Sequence, residues 1–130
     1  MPHSLPILVV DDTELCRIST TLVLLEEDFS CLSVESGGEA LAVFEPGKFG
    51  AVIMDFELGD MTGADCARRI RERERPGSHI PIIGLTAHEL GEIRTSCLEA
   101  GMDEVFSKDC SSKFLMKTLE RLVTENQGRN

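Results

Sequence analysis

Basic residues are scarce in this chain: 13 lysines and arginines stand against 23 aspartates and glutamates, for a formal net charge of -10. Nucleic-acid backbones are gripped by clustered Lys and Arg, so direct binding to nucleic acid is excluded as a reading. The five cysteines, Cys16, Cys31, Cys66, Cys97 and Cys110, are odd in number, scattered and without C-x-x-C spacing. That pattern indicates neither a disulfide framework nor a zinc site, and it suits a reducing cytoplasmic setting. No apolar run is long enough to span a membrane, and Met1-Pro2-His3-Ser4 lacks the charged and apolar regions of a signal peptide. Low-complexity tracts, internal repeats and linkers are missing too. The 130 residues are therefore expected to form one domain, with a core over about residues 5–123 and a polar tail over 124–130.

What is there is a set of short apolar runs that end abruptly in polar side chains. Ile7-Leu8-Val9-Val10 runs into Asp11-Asp12, and Ala51-Val52-Ile53-Met54 into Asp55. Ile82-Ile83-Gly84-Leu85 ends at Thr86, and Val105-Phe106-Ser107 at Lys108. Such runs read as buried parallel strands, whose carboxyl ends are where α/β sheets place their chemistry. Three carboxylates, a hydroxyl and an ammonium together can hold a divalent metal and accept a phosphoryl group.

Helical stretches alternate with these strands. The first, about Glu14 to Glu26, carries Leu15, Ile18, Leu22 and Leu25 as an apolar stripe expected to face the sheet. Cys31 to Glu35 alternates like an edge strand, and Ser36-Gly37-Gly38-Glu39 has the spacing of a capping box for a second helix. Thr62-Gly63-Ala64-Asp65 repeats that spacing and opens a third, running through about Glu74 before Pro76-Gly77. Its arginines, Arg68, Arg69, Arg71, Arg73 and Arg75, read as a solvated face paired with Glu72 and Glu74. Leu90, Ile93, Cys97 and Ala100 mark a fourth helix capped by Gly101, and Leu115, Leu119 and Leu122 the inner face of a fifth from about Ser112 to Val123.

Five β-α units with right-handed crossovers imply an α/β fold with a doubly wound parallel sheet and helices on both faces, and of the alternative doubly wound orders the flavodoxin-like five-stranded 2-1-3-4-5 is the one expected. That order puts Asp11, Asp12 and Asp55 together at the switch point. Three such carboxylates repel one another, which raises at least one pKa or demands a cation, and a small hard divalent ion such as Mg²⁺ relieves the repulsion.

With these residues in hand, the chain resembles the receiver domain of two-component response regulators over nearly all its length. Asp11 and Asp12 resemble the family's metal-binding acidic pair, Asp55 its phosphoacceptor, Thr86 its switch hydroxyl and Lys108 its phosphate-contacting lysine. The resemblance implies that Asp55 takes a phosphoryl group from a phosphohistidine of a histidine kinase or a histidine phosphotransfer protein, and that the phosphorylated state switches partner binding. Mg²⁺ is the implied cofactor, with Mn²⁺ able to substitute. Asp12, Asp55 and the backbone carbonyl of Glu57 would ligate it, with Asp11 acting through metal-bound water. The chain would then be a signalling phosphoacceptor that catalyses only its own phosphorylation and dephosphorylation. Glu57 and His88 flank the path of the hydrolytic water and would modulate the lifetime of the acyl phosphate. The stretch Cys97 to Glu104 is more similar to receivers attached to hybrid histidine kinases than to those of simple transcription regulators.

Three departures from the family pattern stand out: Asp109 follows Lys108 where proline is usual, Leu58-Gly59 replaces a common proline, and Val105 takes a place often held by Tyr or Phe. A trans peptide is expected after Lys108. Two rival readings use parts of the same pattern. One is a small-molecule phosphatase with an aspartyl-phosphate intermediate, which would need a cap insertion that 130 residues do not hold. The other is a flavodoxin-like cofactor-binding protein, whose phosphate loop would be neutral or basic rather than Asp11-Asp12-Thr13-Glu14.

Overall fold

The structure, a computed structural model, describes residues 5–127. The polar tail beyond Gln127 and the residues before Leu5 lie outside the described residues. Strands and helices alternate as β1 (Ile7–Val10), α1 (Glu14–Glu26), β2 (Cys31–Val34), α2 (Gly37–Val43), β3 (Ala51–Asp55), α3 (Gly63–Arg73), β4 (Ile82–Thr86), α4 (Gly91–Glu99), β5 (Glu104–Ser107) and α5 (Ser112–Gln127). The sheet is parallel throughout, in the order β2-β1-β3-β4-β5. This is the expected doubly wound order.

Side chains alternate across each strand, so the sheet makes two cores. Leu8, Val10, Val52 and Met54 pack beneath α2, α3 and α4 with Ala40, Leu41, Ala67, Ile70 and Cys97. Ile7, Val9, Ile53 and Ile83 pack on the other face with Leu24, Leu115, Met116 and Leu119 of α1 and α5. Both faces are covered, which is why β1, β3 and β4 are apolar at nearly every position.

The predicted caps form. Ser36 Oγ accepts from the Glu39 amide at 3.0 Å and Thr62 Oγ1 from the Asp65 amide at 3.1 Å. Gly101 takes φ +106 to end α4, a conformation open to glycine without steric cost. α5 continues past Val123 to Gln127. All five cysteines are free and no peptide bond is cis among the described residues, that after Lys108 included.

One expectation is overturned and a second holds only in part. The stripe Leu15, Ile18, Leu22 and Leu25 does not face the sheet: these residues are 79%, 48%, 55% and 53% exposed. α1 instead buries Leu24 completely, packs Val23 against the second core, and turns Cys16 and Thr20 toward α5. The spacing 16, 20, 23, 24 is as helical as 15, 18, 22, 25, and the smaller side chains form the face that fits against β1 and α5. Nor is the α3 arginine face uniformly solvated. Arg71 reaches across to β4 and β5, donating to the carbonyls of Gly101 at 2.7 Å and Ile80 at 2.7 Å, and pairing with Glu74 at 2.8 Å and Asp103 at 3.0 Å. Arg73 donates to the Leu41 carbonyl of α2. Arg68, Arg69, Arg73 and Arg75 stay exposed as expected, with Arg68 paired with Asp65 at 2.9 Å.

Candidate metal and phosphoryl site

Register builds the site. Val10 pairs with Met54 across the β1–β3 ladder, so the next residues, Asp11 and Asp55, emerge side by side at the carboxyl edge of the sheet. One carboxylate oxygen from each of Asp11, Asp12 and Asp55 lies within 4.8 Å of the others. Asp11 and Asp55 are buried and Asp12 is exposed. Asp11 is held from three sides. Its Oδ1 accepts from the Thr13 amide at 2.9 Å, its Oδ2 from Lys108 Nζ at 3.1 Å, and its carbonyl from Arg17 Nη1 at 2.7 Å.

Lys108 enters from the far side of the sheet. Its amide donates to the Thr86 carbonyl at 2.8 Å, which continues the β4–β5 ladder by one step, and its Nζ reaches Asp55 Oδ2 at 3.3 Å. Burial would favour the neutral amine, but hydrogen bonding and charge from Asp11, then Asp55, outweigh it and raise the Lys108 pKa. Asp55 moves the opposite way from an ordinary carboxyl beside a lysine. Burial and then the charge of Asp11 push it up to about 6 against the pull of Lys108. The site is therefore short of positive charge, and its donors are all hard oxygens. That is the donor set a Mg²⁺-sized cation fits, and the cluster's own repulsion favours taking one up.

Thr86 is buried, and its Oγ1 accepts from the His88 amide at 3.1 Å, so its hydroxyl already fastens the start of the β4–α4 loop. Across the mouth, the His88 ring meets the carboxylate of Glu57, both side chains being exposed. Asp12, Asp55, Glu57, Thr86, His88 and Lys108 thus line one cleft of about 250 Å³. Every residue singled out in the sequence is brought to this cleft or, for Asp11, to its wall.

The loop after Asp55 is shaped by close approach. A Cβ on Gly63 would lie 2.5 Å from the Asp55 carbonyl oxygen, so glycine is what lets α3 begin against the strand end. Gly59 takes φ +82 where the family often has proline. Three neighbours went unmarked in the sequence reading: Arg17, Cys16, whose Sγ lies 3.7 Å from Lys108 Nζ, and Asp60, whose carboxylate accepts from the amides of Gly37 and Gly38 at 3.0 and 2.9 Å. For Arg17 and Cys16 the helical spacing from the acidic pair was a usable signal. For Asp60 there was none, since its partners are 23 and 22 residues away.

Comparison with known proteins agrees with this geometry. The family model of the response regulator receiver domain matches residues 7–120. The aerobic respiration control sensor protein ArcB of Escherichia coli (strain K12) is 35% identical over 118 residues, which is 91% of this chain and 15% of that protein. The sensor histidine kinase RcsC of Salmonella typhimurium is 34% identical over 113 residues, 87% of this chain and 12% of that one. The chain therefore spans only a small fraction of the length of these curated relatives. Among solved structures, a CheY-like receiver domain protein from Methanospirillum hungatei JF-1 superimposes with a TM-score of 0.87 at 27% identity, covering 98% of this chain and 100% of that one. The receiver domain of the sensor histidine kinase PA1611 from Pseudomonas aeruginosa PAO1, described with a magnesium ion coordinated in its active site cleft, gives 0.83 at 29% identity over 94% and 99%. A sheet of order 2-1-3-4-5, an acidic cluster closed by a lysine, and a family match over residues 7–120 lead to one statement: this chain belongs to the response regulator receiver-domain family.

Proposed function

We propose that Asp55 is the phosphoacceptor of a phosphorelay, and that a histidine kinase or a histidine phosphotransfer protein is the donor. The observation that carries this reading is the placement of the Asp55 carboxylate, with Asp11 and Asp12 on one side and an ammonium 3.3 Å away on the other. A carboxylate oxygen of Asp55 attacks the phosphorus of a phosphohistidine. The new O–P bond makes an acyl phosphate as the P–N bond breaks, and its electron pair returns to the imidazole nitrogen. Asp12, Asp55 and the Glu57 carbonyl would hold Mg²⁺, or Mn²⁺ in its place, and Asp11 would act through its water. Bound there, the ion supplies neutralisation of charge on the phosphoryl oxygens and a template for in-line transfer.

The chain's own residues do the remainder. Lys108, already committed to Asp55 and Asp11, moves its ammonium to a phosphoryl oxygen once Asp55 is esterified. Thr86 offers its hydroxyl to another, which withdraws it from the His88 amide. The Glu57–His88 pair stands over the path by which water would reach the acyl phosphate, where it would modulate the rate of hydrolysis. Self-phosphorylation and dephosphorylation are the whole catalytic repertoire in this reading, with no direct nucleic-acid contact.

Donor docking has a candidate face. Leu15, Ile18, Leu22 and Leu25 form an exposed apolar row on α1 that starts three residues after Asp12. Among the described residues no helix is long and apolar enough to cross a membrane. Five free thiols fit a reducing cytoplasm, where the kinase's own catalytic parts would be met. Residues 1–130 act as one receiver unit in this proposal.

The test is intact-mass measurement after incubation with acetyl phosphate. One phosphate adduct is expected with Mg²⁺ or Mn²⁺, and none in chelator or in Asp55→Asn. An adduct that persists in either control would overturn the assignment.

A further inference from the structure

Asp60 sits at the tip of the loop that follows Asp55, and both of its carboxylate oxygens are used. They accept from the amides of Gly37 and Gly38, the first two residues of α2, at 3.0 and 2.9 Å. Those amides have no partner within their own helix, because the first turn of any α-helix leaves its N–H groups free. The two bonds hold the Asp60 carboxyl below its usual range. The neighbouring residue fixes the same contact independently: a Cβ on Gly37 would fall 2.6 Å from Met61 Cγ, so Met61 rests on bare backbone.

The loop itself is closed. Glu57 bridges to Thr62, and the Leu58 amide donates to the Met61 carbonyl at 3.2 Å. Gly59, at φ +82, folds the tip back beneath the acidic pair, so that a Cβ there would be 3.8 Å from Asp12 Oδ2. A proline at that place would have stiffened the loop from within. Glycine supplies no such stiffening, and to the loop's own bonds Asp60 adds a restraint from outside.

We propose that Asp60 is a positioning residue: by latching the loop tip onto Gly37 and Gly38 it holds the Glu57 carbonyl in place for a cation shared with Asp12 and Asp55. This rests on the metal-assisted phosphoacceptor reading above and makes α2 part of that machinery. Groups that orient a metal ligand commonly change metal affinity when removed, by about 10-fold or more. Coupling is also reciprocal, so a cation in the site tightens the latch by the factor that the latch tightens the cation.

The experiment follows Mg²⁺ binding and amide exchange by NMR. In the unmodified protein, Mg²⁺ should slow hydrogen exchange at Gly37 and Gly38, measured with no substitution at all. Asp60→Asn and Asp60→Ala should weaken Mg²⁺ by about 10-fold, while Asp65→Asn, which removes the same charge five residues on, should not. Ser36→Ala separates positioning from simple capping, since it removes the local cap of α2 and leaves the latch. If Ser36→Ala weakens Mg²⁺ as much as Asp60→Asn does, if the Asp60 variants bind as tightly as the unmodified protein, or if the two glycine amides ignore Mg²⁺, the latch is wrong and the phosphoacceptor reading stands. If the unmodified protein binds no Mg²⁺, that reading fails and the latch falls with it.

Discussion

Lys108 Nζ lies 3.3 Å from Asp55 Oδ2 and 3.1 Å from Asp11 Oδ2, one cation between two buried carboxylates. A single ammonium does not balance two acids withdrawn from water, and Asp55 is pushed up to about 6. Without a cation, this imbalance costs stability that can be measured.

Between the ordinary value of 3.8 and about 6, the folded Asp55 binds protons that the unfolded chain has released. Stability therefore declines as pH rises through that window, and the full cost is present above it. In chelator, Asp55→Asn should be more stable than the unmodified protein by about 1–2 kcal/mol near neutral pH, and the difference should fade toward pH 4. Urea unfolding at both values decides it: a gap independent of pH, or a less stable Asn variant, contradicts the charge assignment.

Arg71 should matter for stability and not for chemistry. It satisfies the carbonyls of Gly101 and Ile80 and pairs with Glu74 and Asp103 at the sheet end opposite the acidic cluster. Arg71→Ala would take this donor from both carbonyls and both carboxylates, leaving Glu74 with the Ile80 amide and Asp103 with the Ile82 amide, and is expected to cost about 3 kcal/mol. Urea unfolding should show that loss, with labelling of the folded fraction by acetyl phosphate unchanged.

The exposed row on α1 makes the opposite prediction. Ile18 and Leu22 are about half exposed, so Ile18→Glu and Leu22→Glu should shift stability by less than about 0.5 kcal/mol. Labelling by acetyl phosphate should persist. Transfer from a phosphohistidine-bearing protein donor should slow by about 10-fold or more if this row is the docking face. Equal transfer rates for the variants and the unmodified protein would move docking elsewhere.

If phosphorylation is signalled through Thr86, the side chains that fill the core near it set the route. Val105 is buried, with a stiff β-branched side chain and no alternative rotamer of different exposure. Phe106 points to the other face of β5, where it meets Phe114 at a ring separation of 5.1 Å. Binding of beryllofluoride, a phosphoryl mimic, should therefore shift amides from Thr86 to Leu90 most among residues away from Asp55. Comparable shifts at Val105 and along α5 would show that the last strand takes part.

The sequence by itself determined the alternation of strands and helices, the doubly wound class of the sheet, and the set of residues at the strand ends. These are properties of short segments: an apolar run that stops at a carboxylate, a hydroxyl three residues before an acid, a crossover with one permitted hand. Tertiary structure decided which face of α1 is buried, because two rows of that helix have equivalent spacing and only the fit of small side chains against β1 and α5 selects between them. It also decided that Arg71 leaves the solvated face for distant carbonyls, and that Asp60 closes on Gly37 and Gly38. Periodicity records that a helix has sides, and capping rules record where it starts. Neither carries the distance between segments far apart in the chain, and that distance is what packing supplies.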